Sequence, residues 1–386
     1  MGNKQKVDLL VIGSGPAGLS TALHLVKHDK SWADRIVIVE RDSHPRPKLC
    51  GGGITRLGLD LLKDLGIAYP LPIPMVEVDD VRLVYSERTI HVRGKPQFVV
   101  VYRSDFDDYL AKLVQQSGIV IHENEEGKSL QSNEKYVTVE TNKCTYHARA
   151  VVGADGSNGI TRRFVNGPGQ PNRVARLLEV ITSAPENAAH FIDRFAHFDF
   201  TPVDEQLQGY AWVFPANINQ QPSFNRGVYD ARLARQRPRA SLPNILADSM
   251  QTHFNEPYTT QLAGHPIHLF TPRNRLSVPR LLLAGDSAGV DPLFGEGISP
   301  ALAYGKLAAI TLKRAFQTGD FSFRDYRRRV LVSKLGWYLT LRWIIAWTCY
   351  HLSGKRRFMH TLWTVGGLLA RVWPEPETLH SSKFHE

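Results

Sequence analysis

The stretch VDLLVIGSGPAGLSTALHLVKH, residues 7–28, constrains this chain more than any other. Its first residues predict a short strand, and the apolar periodicity after the glycines predicts a helix. Strand, glycine turn and helix in this order make a dinucleotide cradle. Gly13 makes the tight turn, Gly15 lets backbone N–H groups approach a pyrophosphate, and Gly18 lets helix and strand pack closely. Pro16 and Ala17 lie between these glycines and count with them as cofactor-binding. The next strand, RIVIVERD, ends in Glu40, 22 positions after Gly18, where a carboxylate accepts the hydroxyls of an adenosine ribose; Arg41 follows it. A plain turn has no use for Glu40.

With 386 residues the chain is longer than one core comfortably fills. The three cysteines, Cys50, Cys144 and Cys349, make no closed disulfide framework and no zinc-like cluster with histidine, so no metal site and a reducing, cytoplasmic compartment are expected. No secretory signal precedes the first strand. The formal net charge is +10, and residues 321–374 carry ten Lys and Arg against one acid, with five of the seven tryptophans: Trp337, Trp343, Trp347, Trp363 and Trp373. Long apolar runs mixed with Trp and Arg suit a membrane interface better than nucleic acid. The uncharged runs 343–354 and 358–370 are shorter than the about 18 to 20 residues that span a bilayer, so these helices should lie at the surface. Leu339, Trp343, Trp347 and Tyr350 fall on one helical face, and everything after Arg324 reads as separable from the cofactor site.

Two later segments, VVGADGSNGITRR (151–163) and LLLAGDSAGVDPLFGEGISPALAYGKLAA (281–309), resemble the second and third fingerprints of flavoprotein hydroxylase-type enzymes. The resemblance implies that the dinucleotide is FAD. It further implies that Asp155 and Gly156 form the family's D-G pair, that Gly285 and Asp286 meet the ribityl or ribose region, and that Arg103, in YRSDFDDYL, begins the helix beside the cofactor. Ser104 is a candidate N-cap of that helix. The expected fold is α/β: a Rossmann-type FAD-binding domain (1–70, 101–165, 273–324) with an inserted antiparallel-sheet substrate domain (71–100, 166–272) and a basic, Trp-rich helical tail (325–386).

More narrowly, KLCGGGI (48–54), GYAWVFP (209–215) and FGEGISPALAYG (294–305) resemble the geranylgeranyl reductase family, whose aromatic strand reads Y-x-W-x-F-P. Arg226 departs from an expected apolar position and leaves substrate identity open. The resemblance implies reduction of isolated double bonds in a prenyl chain on a lipid, chlorophyll precursor or quinone. NADPH or a ferredoxin-like protein would supply the electrons. Alternate residues of a strand share one face, so Tyr210, Trp212 and Phe214 would form an apolar wall opposite the flavin, ended by Pro215. Cys50, Gly51 and Gly52 should lie near the ring, as should Gly295 and Gly297, with the helix starting near Ile298 turning its positive end to it. An isolated alkene also needs a proton, for which Cys50 and Tyr210 are the candidates and Glu296 a further polar group. A flavin monooxygenase of an apolar substrate and a non-catalytic, membrane-associated flavoprotein are the alternatives.

Overall fold

A computed structural model describes residues 4–167, 174–254 and 263–372. Trp373 and the rest of the tail to residue 386 lie outside the described residues.

Leu9, Leu10, Val11 and Ile12 are consecutive and all buried, which requires cover on both faces of their strand, Lys4–Ile12. That strand is the centre of the first sheet. It pairs in parallel with Ile36–Val39 on one side and Thr145–Gly153 on the other, and Val120–His122 extends the sheet beyond Ile36–Val39. Along its outer edge, Thr145–Gly153 changes partner: its first half pairs with the antiparallel strand Val137–Thr141, its last residues with the parallel strand Leu281–Leu283. Helices Pro16–His28 and Ile298–Thr318 cross where Gly305 meets Ser20, and a Cβ on Gly305 would lie 2.5 Å from the serine side chain. Four parallel strands therefore end together at Ile12, Val39, Gly153 and Leu283, the edge at which such sheets bind ligands.

The second sheet runs in the order Ala263–His268, Val174–Ser183, Gln221–Asp230, Gly209–Ile218, Phe195–Asp199, Met75–Tyr85, Arg88–Val101, Gly53–Thr55. All its ladders are antiparallel except that between Phe195–Asp199 and Met75–Tyr85. Helix Leu242–Phe254 covers one face, packing Leu242, Ile245, Leu246 and Met250 with Val180, Ala211 and Val228. The other face carries Tyr210, Trp212, Phe214 and Phe198 toward the first sheet.

Several sequence expectations change here. Gly53–Thr55 falls within residues 1–70 but pairs with Arg88–Val101 in the second sheet. Pro215 does not end its strand, which continues to Ile218. Registered pairing with Phe195–Asp199 stops at Val213, so Pro215 lies where one side of the strand has become an edge, a setting that accommodates proline. Helix Arg103–Gln116 is capped by Tyr102, and Ser104 lies inside its first turn. In the tail helix Lys334–Leu352 the buried stripe is Leu335, Leu339, Ala346 and Tyr350. Ala346 faces inward with no exposed surface, and Trp347 is rotated out to 50% exposure.

Candidate functional site

One cavity of about 650 Å3 runs from the carboxyl ends of the first sheet to the aromatic face of the second. Its backbone begins at the glycine turn. Gly13 has φ +102°, and a Cβ there would lie 2.4 Å from the Ala154 carbonyl oxygen; a Cβ on Gly18 would lie 2.1 Å from the Gly13 oxygen. At Gly15 the nearest atom is an Arg46 guanidinium nitrogen 3.7 Å away. This is a cradle that a side chain would fill. Gly15 also caps helix Pro16–His28 without offering a side chain, leaving the helix N-terminus open to an anion.

Glu40 is buried and accepts hydrogen bonds from Ser14 N (2.8 Å), Ser14 Oγ (2.7 Å) and Asp42 N (3.2 Å). Burial alone would push its carboxyl up, but the Arg46 charge and these donors hold it below the ordinary carboxylate range, so it is ionised. Arg46 Nε is buried without a hydrogen-bond partner among the described residues. An open glycine cradle, an ionised acid after the second strand and a buried cation with a donor to spare fit an adenine dinucleotide. Arg41, paired with Asp42, lines the same end.

In the middle of the cavity Arg103 donates through Nε and Nη2 to Asp107, at 2.9 and 2.7 Å. Asp155 accepts from the Thr161 backbone N–H (3.0 Å), the Thr161 hydroxyl and Ser287 Oγ (3.0 Å), and Gly156 turns the chain at φ +80°. Burial nevertheless pushes the Asp155 carboxyl up. Gly285 and Asp286 lie in the turn before Ser287 and line the cavity with them. Lys48, which opens the KLCGGGI motif, and His265, which no motif singled out, meet here with Nζ 3.0 Å from Nε2. Burial and the Lys48 charge push His265 down to about 4, so its ring is neutral at pH 7.

The far end is built from three segments. Gly51 lies against the wall, where a Cβ would be 3.0 Å from the Phe214 ring, and Gly52 has φ +75° with its Cβ position 2.1 Å from the Val101 oxygen. Cys50, Gly51 and Gly52 all line the cavity, as do Gly295, Gly297 and Ile298, which starts helix Ile298–Thr318 with Gly297 as its cap. Tyr210, Trp212 and Phe214 are buried on one face, joined by Phe198 and Phe98. Arg226 alternates onto the opposite face, its guanidinium 5.0 Å from the Phe224 ring centre.

Two acid candidates are otherwise engaged. The Tyr210 hydroxyl donates to the Phe294 carbonyl at 2.5 Å, and burial pushes its pKa well up, so it holds the loop rather than a labile proton. Glu296 accepts from Thr55 Oγ1 (2.6 Å) and from the Tyr338 hydroxyl. Tyr338 belongs to the tail, as does Arg342, whose Nη1 is 2.5 Å from Asp291 Oδ2. Residues after Arg324 therefore contact the loop that lines the cavity, and Arg342 lines it directly. The Cys50 thiol is pushed up by burial, against the opposing charge of Arg103, and stays protonated at neutral pH. Among the described residues no cluster of His, Cys, Asp and Glu could hold a metal ion.

The family described as an FAD binding domain matches residues 6–302. A digeranylgeranylglycerophospholipid reductase of Thermoplasma acidophilum is 26% identical over 348 residues, covering 82% of this chain and 80% of that protein. The protein of that name from Methanocella arvoryzae is 24% identical, covering 84% and 82%. The solved structure of a geranylgeranyl bacteriochlorophyll reductase-like protein from T. acidophilum superposes with a TM-score of 0.78 at 19% identity, covering 99% of this chain and 94% of that one. The halogenase PltM shares the fold more loosely, with a TM-score of 0.67 at 16% identity and coverage of 93% and 83%. The chain belongs to the FAD binding domain family and is an FAD-dependent oxidoreductase of the geranylgeranyl reductase-like kind.

Proposed function

We propose that this chain reduces isolated carbon–carbon double bonds in the prenyl chains of a lipid. The observation that carries the reading is the continuity of the FAD cradle with an apolar, aromatic-walled end, lined by Phe98, Phe198, Trp212 and Phe214 and reaching Val81 and Leu83. A prenyl chain has no hydrogen-bonding group, so burial must hold it, at about 25 cal/mol per Å2 of apolar surface. The relatives named digeranylgeranylglycerophospholipid reductases favour a membrane lipid over a chlorophyll precursor or quinone.

Bound FAD, once reduced by NADPH or a ferredoxin-like donor, supplies the hydride. The chain's own residues do the rest. The open N-terminus of helix Ile298–Thr318 stabilises negative charge at its end of the cavity. Trp212 and Phe214 exclude water and align the alkene. Cys50 Sγ holds the proton for the second alkene carbon.

The lipid comes from a bilayer surface. No helix among the described residues is long and apolar enough to cross a membrane. The tail helix exposes Trp337, Leu341, Ile344 and Trp347, and the last helix, Arg356–Val372, exposes Val365, Leu368 and Leu369. Arg327, Arg328, Lys334, Lys355, Arg356 and Arg357 are exposed on the same segment of the chain and would complement anionic headgroups. The last helix also borders the cavity wall: Trp363 Nε1 donates to the carbonyl of Leu83, a cavity-lining residue.

The test is anaerobic incubation of the reduced holoprotein with a geranylgeranylated phospholipid, followed by mass spectrometry. A product heavier by two hydrogens per bond is expected. Unchanged lipid, or labelled oxygen in the product under air, would overturn the reading, the latter in favour of a monooxygenase.

A further inference from the structure

Reduction of an unpolarised alkene consumes a proton for every hydride, and the cavity offers few groups able to resupply one. Cys50 lines the cavity, and its backbone carbonyl is held from behind by Asn225 of the second sheet. Asn225 Nδ2 donates to the Cys50 carbonyl (2.9 Å) and to Glu179 Oε1 (3.2 Å), while Asn225 Oδ1 accepts from Trp212 Nε1 (2.9 Å). The Cys50 backbone N–H lies close enough to favour the charged form of the Glu179 carboxyl.

Glu179 is 5% exposed and stands on the cavity-side face of its strand, across Gly227 from Trp212. Gly227 permits this, because a Cβ there would lie 2.2 Å from the Trp212 ring. Glu179 Oε2 has no hydrogen-bond partner among the described residues. The ionisable groups that act on this carboxyl and its surroundings are the Arg103 guanidinium, the Cys50 thiol and the Tyr102 phenol, and Arg103 is already bound in two places to Asp107. Burial outweighs the donors and raises Glu179 to about 7, poised between acid and carboxylate.

We propose that Glu179 is the proton reservoir of the site, the carboxylic acid that restores the Cys50 thiol after each reduction. The proposal rests on the prenyl-reductase reading. The hydride forms a C–H bond at one alkene carbon, and the Cys50 S–H bond breaks as its proton forms the second C–H bond. The Glu179 O–H bond then breaks as the thiol re-forms, and water returns a proton to the carboxylate. The two-electron balance is met by the external nicotinamide or iron–sulfur donor. Glu179 acts through Cys50 and is a positioning and proton-supplying residue, not one that touches the substrate.

The experiment measures the pH dependence of iodoacetamide alkylation at Cys50 in the holoprotein, reading the Cys50 peptide by mass spectrometry. In wild type, Glu179 ionises before the thiol and its charge delays thiolate formation. Glu179→Gln should remove the inflection near pH 7 and speed alkylation at pH 8 about tenfold, the effect of one pKa unit. Glu179→Asp should keep the inflection. In turnover, Glu179→Gln should leave the first reduced bond unaffected and slow later ones at least tenfold. Superimposable alkylation profiles, or equal slowing of the first and later turnovers, would overturn the proposal. If wild type reduces no prenyl lipid the functional reading fails, while the alkylation profiles still decide the coupling of Glu179 to Cys50.

Discussion

Arg342, on the tail helix, places Nη1 2.5 Å from Oδ2 of Asp291, a carboxylate with no exposed surface at the start of the loop Asp291–Gly297. Asp291 also accepts from the N–H groups of Leu293 (2.8 Å) and Phe294 (3.1 Å). Three successive carbonyls of the loop are each bound by a tyrosine: Pro292 by Tyr229 (3.0 Å), Leu293 by Tyr350 (2.6 Å) and Phe294 by Tyr210 (2.5 Å). The loop that lines the far end of the FAD cavity is therefore clamped between the second sheet and the tail. Removing one partner of such a buried pair leaves an uncompensated charge and costs about 3 to 5 kcal/mol. Arg342→Ala should lower the thermal midpoint of the holoprotein and release FAD at lower denaturant than wild type. Unchanged FAD retention in a folded variant would show that the clamp is not needed.

Gly13 and Gly15 separate folding from cofactor binding. At Gly13 a side chain meets both a left-handed φ and the Ala154 oxygen, so Gly13→Ala should destabilise the apoprotein by about 2 kcal/mol or more. At Gly15 the backbone is extended, with φ −79°, and only Arg46 is near. Gly15→Ala should leave apoprotein stability within about 0.5 kcal/mol of wild type and weaken FAD binding about tenfold or more. Urea unfolding of the two apoproteins and FAD titration by fluorescence check the contrast. Equal stability losses would refute it.

That contrast also indicates what a linear chain reveals. The glycine cradle is legible because the spacing of strand, turn and helix around Gly13, Gly15 and Gly18 is local in sequence, although the atom Gly13 meets belongs to the distant Ala154. The aromatic wall is legible because strand alternation places Tyr210, Trp212 and Phe214 on one face whatever lies opposite. Glu179 and Asn225 were not legible: Asn225 reaches Cys50 across 175 positions, and only the register of the second sheet brings them together. Arg342 was misleading for another reason. It stands among basic and tryptophan residues that suit a membrane surface, yet its helix turns it inward to Asp291 and presents Trp337 and Trp347 instead.

The outward face gives a separate expectation. Trp337, Leu341 and Trp347 are 73, 58 and 50% exposed, so replacing all three by serine should change stability by no more than about 0.5 kcal/mol per site. FAD content should be unaffected. Sedimentation with vesicles containing anionic phospholipid should fall sharply, and raised salt should weaken what remains through screening of the exposed Arg and Lys. Truncation after Arg324 is the wrong probe, because it also removes Tyr338, Arg342 and Tyr350 from the FAD loop. Undiminished sedimentation of the triple variant would place the membrane contact elsewhere.

Glu179 makes stability depend on pH in a direction opposite to most carboxylates. Burial raises it from an ordinary value of 4.5 to about 7, so between these limits the folded chain holds a proton that the unfolded chain has released. Stability follows the difference in bound protons, unfolded minus folded, which is negative here. The contribution of the buried neutral acid is therefore full below pH 4.5, declines as pH rises and is lost above about 7, a change of about 3 kcal/mol at 1.36 kcal/mol per unit. Gln keeps the neutral shape and does not titrate. Urea unfolding of the wild-type and Glu179→Gln holoproteins at pH 4.5 and pH 8 isolates the term, since every other titrating group is common to both. The variant should gain about 2 to 3 kcal/mol relative to wild type between the two pH values; a difference that stays constant would mean that Glu179 is ionised in the folded protein at both.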